Sequence, residues 1–206
     1  LARVAWQLEG TGRDEIEPVA LHRTPVLELS GVPVEIPPGV FLQASAEAEK
    51  VLSALVVEAS QGSRVADLYC GVGTFALPLA AAGAKVMAVD GDSAAIAALA
   101  RAAGTAGFGG QVMAAQRDLV RQPMAAAEFR RIETIVFDPP RAGAAAQAEE
   151  IAQTDAARVV AVSCNPMTFA RDALTLTEGG YTLERITPVD QFVWSGHVEL
   201  VAVFSR

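Results

Sequence analysis

With 206 residues, 51% of them hydrophobic and 19% charged, the chain can fill one full α/β core and part of a second small unit. No apolar run approaches the roughly 20 residues that span a bilayer, and no basic segment leads into an apolar stretch with a small-residue cleavage site, so a cytoplasmic location is expected. The net charge of −8, shared as −3 over residues 1–42 and −5 over the rest, argues against a surface that grips nucleic acid by neutralising phosphates. Only Arg117, Arg121, Arg130 and Arg131 form a loose basic group.

The opening stretch carries two short alternating pieces, Val26 to Leu29 and Val32 to Ile36, joined by Ser30-Gly31 and ended by Pro37-Pro38-Gly39. That punctuation predicts a β-hairpin. Residues 1–42 show no helical pattern and start on Leu1, which reads as the end of a β-rich domain within a longer chain. From Ala44 to Ala59 the apolar residues recur at helical spacing, and from there strands and helices alternate.

Strands are predicted at Val65 to Leu68, Lys85 to Val89, Gln111 to Ala114, Ile132 to Phe137, Val159 to Ser163, Thr182 to Val189 and Val198 to Phe204. Helices are predicted at Phe75 to Ala82, Ser93 to Ala103, a short piece near Met124 to Phe129, and Ala144 to Thr154. Such alternation implies right-handed crossovers and a parallel sheet covered on both faces. The last two strands are joined without room for a helix and should run antiparallel. The expected fold is α/β and Rossmann-like: a seven-stranded, mostly parallel sheet with a terminal antiparallel hairpin and a short N-terminal β segment. This is the architecture of the Rossmann-like methyltransferases, and residues 43–206 would form that unit.

The segment Asp67-Leu68-Tyr69-Cys70-Gly71-Val72-Gly73-Thr74-Phe75 leaves the first of these strands and enters a helix. Gly71 and Gly73 would let the backbone approach a ligand and adopt conformations closed to other residues. The spacing is not that of the dinucleotide fingerprint, since Ala76 stands three residues after Gly73. Asp90, ending the next strand, can accept both hydroxyls of a ribose. Asp118, just past the third strand, could meet an adenine amino group or simply cap a turn.

The fourth strand ends in Phe137-Asp138-Pro139-Pro140-Arg141 and the fifth in Val162-Ser163-Cys164-Asn165-Pro166. Asp138 reads as a site carboxylate or as a helix lead-in. Pro166 suits a first helical position, with Asn165 as cap, which sets Cys164 beside a helix N-terminus that favours a thiolate. Cys164 is thus a candidate nucleophile, against the alternative of an inert buried thiol. Cys70 takes that inert reading. With two cysteines in all, no disulfide framework and no metal site is expected in this chain. Glu199 lies in a strand that is otherwise strongly apolar, where burial would raise its proton affinity and suit it to general-base work. His197 is either its partner or a strand-edge surface residue.

Taken together, Phe41-Leu42-Gln43, the Asp67 to Phe75 turn, Asp90, Asp138-Pro139-Pro140-Arg141-Ala142-Gly143, Ser163-Cys164-Asn165-Pro166 and His197-Val198-Glu199 resemble the RNA uracil-5-methyltransferase family over residues 41–206. The resemblance implies that Gln43, Tyr69, Thr74, Asp90, Asp118 and Asp138 contact S-adenosylmethionine, that Cys164 is the nucleophile and that Glu199 is the base. It implies a uridine in transfer or ribosomal RNA as substrate, attacked at C6 by the thiolate and methylated at C5. Ser45 stands where asparagine is often found, and the acidic balance implies that the grip on RNA comes from other domains. Two rival readings stay open. An amino-group methyltransferase acting on adenine N6 or a protein glutamine would use an Asp-Pro-Pro-aromatic motif, where Arg141 stands here. A nucleotide-binding module without catalysis would need only the cofactor turn.

Overall fold

A computed structural model describes residues 2–6, 16–191 and 194–206. It contains two small hairpins followed by a sheet of seven strands with helices on both faces. The first hairpin, β1 (Arg3–Trp6) with β2 (Glu17–Leu21), escaped the sequence reading. Its strands are short and far apart in sequence, and β2 contains Pro18. Arg3 ties it to the chain ahead through bonds to the carbonyls of Ile36 (2.8 Å) and Pro37 (3.1 Å).

The second hairpin, β3 (Val26–Leu29) with β4 (Val32–Glu35), forms where expected. Its turn residues Ser30 and Gly31 both have positive φ (48° and 80°), the pairing that a two-residue hairpin turn needs. Leu29, Val32, Val34 and Ile36 point into the same core as the helices that follow, so this hairpin is seated on the main sheet's helical layer.

The large sheet comprises β5 (Arg64–Leu68), β6 (Lys85–Asp90), β7 (Val112–Gln116), β8 (Thr134–Phe137), β9 (Arg158–Ser163), β10 (Thr182–Val189) and β11 (Glu199–Ser205). Their order across the sheet is β10-β11-β9-β8-β5-β6-β7. The strands from β5 to β9 are mutually parallel, and β11 runs against β9 on one side and β10 on the other. The chain winds outward through β6 and β7, then returns to lay β8 on the other edge of β5. Strand order reverses between β5 and β8, and in open α/β sheets ligands bind beyond the strand carboxyl ends at such a point.

Helices α1 (Ala46–Ala59), α2 (Ala76–Ala81) and α3 (Ser93–Thr105) cover one face, and α4 (Ala145–Ala152) and α5 (Pro166–Glu178) the other. Ser45 caps α1 by accepting from Ala48 N, Asp92 caps α3, and Asn165 caps α5 from the residue before its proline. Strand β9 shows how one strand serves both layers. Val160 and Val162 pack with Leu52, Leu77 and Leu99, whereas Val159 and Ala161 pack with Ile151, Leu176 and Phe204. Each fully buried Leu or Phe of this kind stabilises the fold by roughly 1.5–3 kcal/mol. The predicted piece near Met124 is a single 3-10 turn, Ala126–Phe129. No helix among the described residues is long and apolar enough to cross a membrane.

Candidate active site

Five of the predicted site residues follow directly from the sheet. The turn after β5, the end of β6, and the segments after β8 and β9 all emerge at the carboxyl edge, bringing Tyr69, Gly71, Asp90, Asp138 and Cys164 around one cavity of about 450 Å³. Glu199 joins them because β11 is reversed: its first residue, not its last, lies at that edge. Gln43, Asp118, Phe41 and Arg141 complete much of the wall.

The glycine turn has two distinct glycines. At Gly71 (φ 53°) a Cβ would meet nothing within 4 Å, so the backbone there borders open cavity. At Gly73 (φ 101°) it would lie 2.5 Å from Leu99 Cδ1. Gly73 is buried and outside the cavity lining; its lack of a side chain lets the turn press onto α3. Thr74 is likewise outside the lining, and its carbonyl accepts from Ser53 Oγ at 3.1 Å. Tyr69 holds a left-handed φ of 61°, a conformation that costs a side-chain-bearing residue energy and is kept here by the turn around it.

Asp90 does more than face the cavity. Its carboxylate accepts from Gly71 N (2.9 Å) and Asp92 N (2.7 Å), lacing the glycine turn to the loop after β6. Asp118 caps a turn, its Oδ1 accepting from Val120 N (3.0 Å) and Arg121 N (3.1 Å), and also borders the cavity.

Carboxylates dominate the electrostatics. Burial, with the Glu199 charge added, pushes the Asp138 carboxyl up to about 7. Burial also raises Glu199, which is 3% exposed, while a hydrogen bond from Gln191 opposes the rise. Asp67 is fully buried with neither oxygen hydrogen-bonded among the described residues. Its proton affinity is driven well up by burial and then by the charges of Asp138 and Asp90. The sequence reading took Asp67 only as the head of the turn.

The Cys164 thiol departs from expectation. Asn165 does cap α5, accepting from Met167 N at 3.1 Å, but the sulfur's proton affinity is raised. Burial is the main cause, the Glu199 and Asp138 charges add to it, and Arg141 opposes it. A helix terminus acts over about one turn and is worth about 1 kcal/mol or less at partly exposed positions; burial, with two nearby carboxylates added, outweighs it. Cys70 is buried and held well above the ordinary thiol range, as an inert thiol should be.

Arg141 sits on a loop fastened from α5. Its carbonyl accepts from Asn165 Nδ2 (3.0 Å) and Thr168 Oγ1 (3.2 Å), and Asp172 receives Ala144 N at 2.7 Å. Its guanidinium lies 3.5 Å from His197 Nδ1 in an exposed position, the strand-edge reading of that histidine. Of the basic group, Arg117 is paired with Glu128 at 2.8 Å and bonded to two carbonyls, and Arg121 lies 3.6 Å from Asp118.

Sequence reasoning missed Gln191. It stands just past β10 and donates to both Gln43 Oε1 and Glu199 Oε1 at 3.0 Å. Nothing in its spacing marks it, because the chain returns to the site only through the β10–β11 connection.

This sheet order and site edge define the Rossmann-like methyltransferase class. The fold is shared with TYW2 of M. jannaschii, solved with AdoMet (TM-score 0.69, 14% identity, 100% of this chain and 94% of that one). It is closer to tRNA (uracil-54, C5)-methyltransferase of Pyrococcus abyssi, solved with S-adenosyl-L-homocysteine (TM-score 0.83, 27% identity, 98% of this chain and 50% of that one). The tRNA (Uracil-5-)-methyltransferase family model matches residues 34–206, and the chain belongs to that family. It is 52% identical over 185 residues to an RNA methyltransferase of Caulobacter vibrioides, covering 89% of this chain and 44% of that protein. It is 36% identical over 201 residues to the 23S rRNA (uracil(1939)-C(5))-methyltransferase of Aeromonas hydrophila, covering 94% and 44%. The chain thus spans about half the length of these relatives.

Proposed function

We propose that residues 43–206 form an S-adenosylmethionine-dependent methyltransferase unit that methylates uridine at C5 in RNA, ribosomal or transfer, with Cys164 as nucleophile and Glu199 as base. Residues 1–42 would be the end of a β-rich segment of a longer protein. The observation that carries the reading is the convergence of Cys164, Glu199 and Asp138 on one cavity with the glycine turn. Family membership and the uracil-C5 methyltransferases among its relatives support it.

The residues fit the methyl donor. A cavity of about 450 Å³ falls within the roughly 300–1,000 Å³ of small-molecule sites, and Gly71 leaves room for close approach. Asp90 and Asp118 offer acceptors for a ribose and an adenine amino group, Gly71 and Tyr69 shape the turn against the ligand, and Gln43 and Asp138 line the reacting end. Gly73 and Thr74 would act indirectly, by setting the turn. When bound, the donor supplies an electrophilic methyl group.

The chain's own residues supply the rest. C5 of uracil is a weak nucleophile, so the Cys164 thiolate adds to C6, forming a C–S bond and pushing electron density onto O4 and C5. After C5 gains its methyl group, Glu199 removes the C5 proton, the C5–C6 double bond reforms and the C–S bond breaks, returning the thiolate. The ring must leave its stack to reach the cavity. With a net charge of −8, the chain leaves much of the grip on RNA to other parts of the protein.

The test is covalent trapping on 5-fluorouridine RNA, whose fluorine cannot be removed as a proton. The reading expects a methylated, denaturant-stable complex that Cys164→Ala does not form. Normal turnover by Cys164→Ala would favour an amino-group methyltransferase.

A further inference from the structure

A hydrogen-bonded chain joins three residues of the cavity wall, Gln43, Asp138 and Glu199, to Gln191, and its direction can be read from its donors. Gln43 Nε2 donates to Asp138 Oδ2 (3.4 Å), Gln43 Oε1 accepts from Gln191 Nε2 (3.0 Å), and Gln191 Nε2 also donates to Glu199 Oε1 (3.0 Å). An amide nitrogen has two hydrogens, and both of Gln191's are committed. Its orientation is thereby fixed, and Glu199 is placed as an acceptor. A carboxyl group receiving such a bond at a buried position is held in the form that can take up a proton.

We propose that Gln191 is a positioning residue for the base step: it holds Glu199 as an acceptor and, through Gln43, ties it to the cavity wall that carries Asp138. The proposal rests on the cysteine–glutamate reading above and adds to it the group that prepares the base. Two further features support it. Gln191 Oε1 is buried and without a donor among the described residues, so the amide is retained for its N–H groups at the expense of its carbonyl. Burial opposes the ionisation of Glu199; the other titratable groups that share its end of the cavity are Asp138 from the end of β8, Cys164 from the end of β9 and the cationic Arg141. Gln191 is the neighbour whose hydrogen bond lowers the Glu199 proton affinity.

The experiment compares wild type, Gln191→Met, Glu199→Gln and Gln43→Met. Methionine keeps the length of the side chain and removes its N–H groups. Three quantities are followed: covalent trapping on 5-fluorouridine RNA, turnover on uridine RNA, and the pH dependence of turnover. Trapping needs the thiol and the methyl transfer but not proton removal. Gln191→Met should therefore trap as wild type does, while its turnover falls about 10- to 100-fold, the loss expected of one hydrogen bond to a charged group. The methylated covalent intermediate should accumulate on uridine RNA, as in Glu199→Gln, and the acid limb of the pH profile should move to higher pH. Gln43→Met, which leaves the Gln191 to Glu199 bond in place, should weaken donor binding and move that limb less than Gln191→Met does. Wild-type turnover and pH profile in Gln191→Met would overturn the proposal, and so would a loss of trapping in parallel with turnover, which marks a merely structural role. Failure of wild type itself to trap would instead overturn the cysteine-nucleophile reading on which this one stands.

Discussion

Leu200 pairs with Ser163 across the antiparallel ladder between β11 and β9. The next residue outward on each strand is a candidate for chemistry, Glu199 on one and Cys164 on the other, and both line the same cavity. A carboxylate that starts its strand and a thiol that follows its strand meet because the two strands run in opposite directions. A division of labour between them makes the first prediction.

Cys164→Ala should bind the methyl donor as wild type does yet form neither product nor covalent complex with 5-fluorouridine RNA. Glu199→Gln should form that complex and stall on uridine RNA, turnover falling about 10²–10⁴-fold, the range of general acid–base contributions. Gel shift under denaturing conditions separates the two variants. Equal loss of trapping in both would remove Glu199 from the base role.

The two glycines of the turn should fail differently. Gly73→Ala drives a Cβ to 2.5 Å from Leu99 Cδ1 at a φ of 101°, so it should destabilise the fold by about 1–3 kcal/mol or more. Gly71→Ala adds its Cβ toward open cavity at φ 53°, costing about 1–2 kcal/mol in backbone conformation and chiefly weakening donor binding. Denaturant titration beside calorimetry checks this; similar donor affinities for the two variants at matched folded fraction would contradict it.

Asp90→Ala should lower donor affinity by at least about tenfold, the equivalent of about 1.4 kcal/mol. It should also loosen the turn, because Gly71 N and Asp92 N both lose their acceptor. Amide exchange at these two positions should quicken. Wild-type affinity in this variant would mean that the carboxylate serves the turn alone.

Asp138 gives the pH prediction. In the folded chain its carboxyl keeps a proton up to about 7, whereas the unfolded chain releases it near the ordinary carboxylate value of about 4. Between these limits the folded state binds more protons, so this group's contribution to stability is full below about pH 4 and is lost as pH rises through about 7. Asp138→Asn should flatten that slope, raising the Tm at pH 7.5 more than at pH 4.5. A Tm difference that does not change with pH would show that the carboxyl is ionised throughout.

Much of the site could be read one strand at a time. The apolar stretches ending at Leu68, Asp90, Phe137 and Ser163 announced parallel strands, and parallel strands put their carboxyl ends on one edge. Gly71, Asp90, Asp138 and Cys164 were therefore legible as neighbours from the sequence. Local sequence did not separate Gly71 from Gly73, since both take positive φ; the difference lies in Leu99, which α3 brings over one and not the other. The proton affinity of the Cys164 thiol was not legible because a helix cap can be read locally, whereas its burial and then the Glu199 and Asp138 charges come from the folded cavity, with β11 and the end of β8 brought beside it.

The sequence by itself determined the alternation of strands and helices, the glycine turn and the types of residue that chemistry would need, because periodicity, caps and turn residues act over a few positions. Tertiary structure decided that β11 inserts between β9 and β10, that Gln191 joins Gln43 to Glu199 and that burial, with two carboxylates added, sets the proton affinity of the thiol. These depend on strand order and on distances across the cavity, and such distances exist only once the core has fixed the sheet.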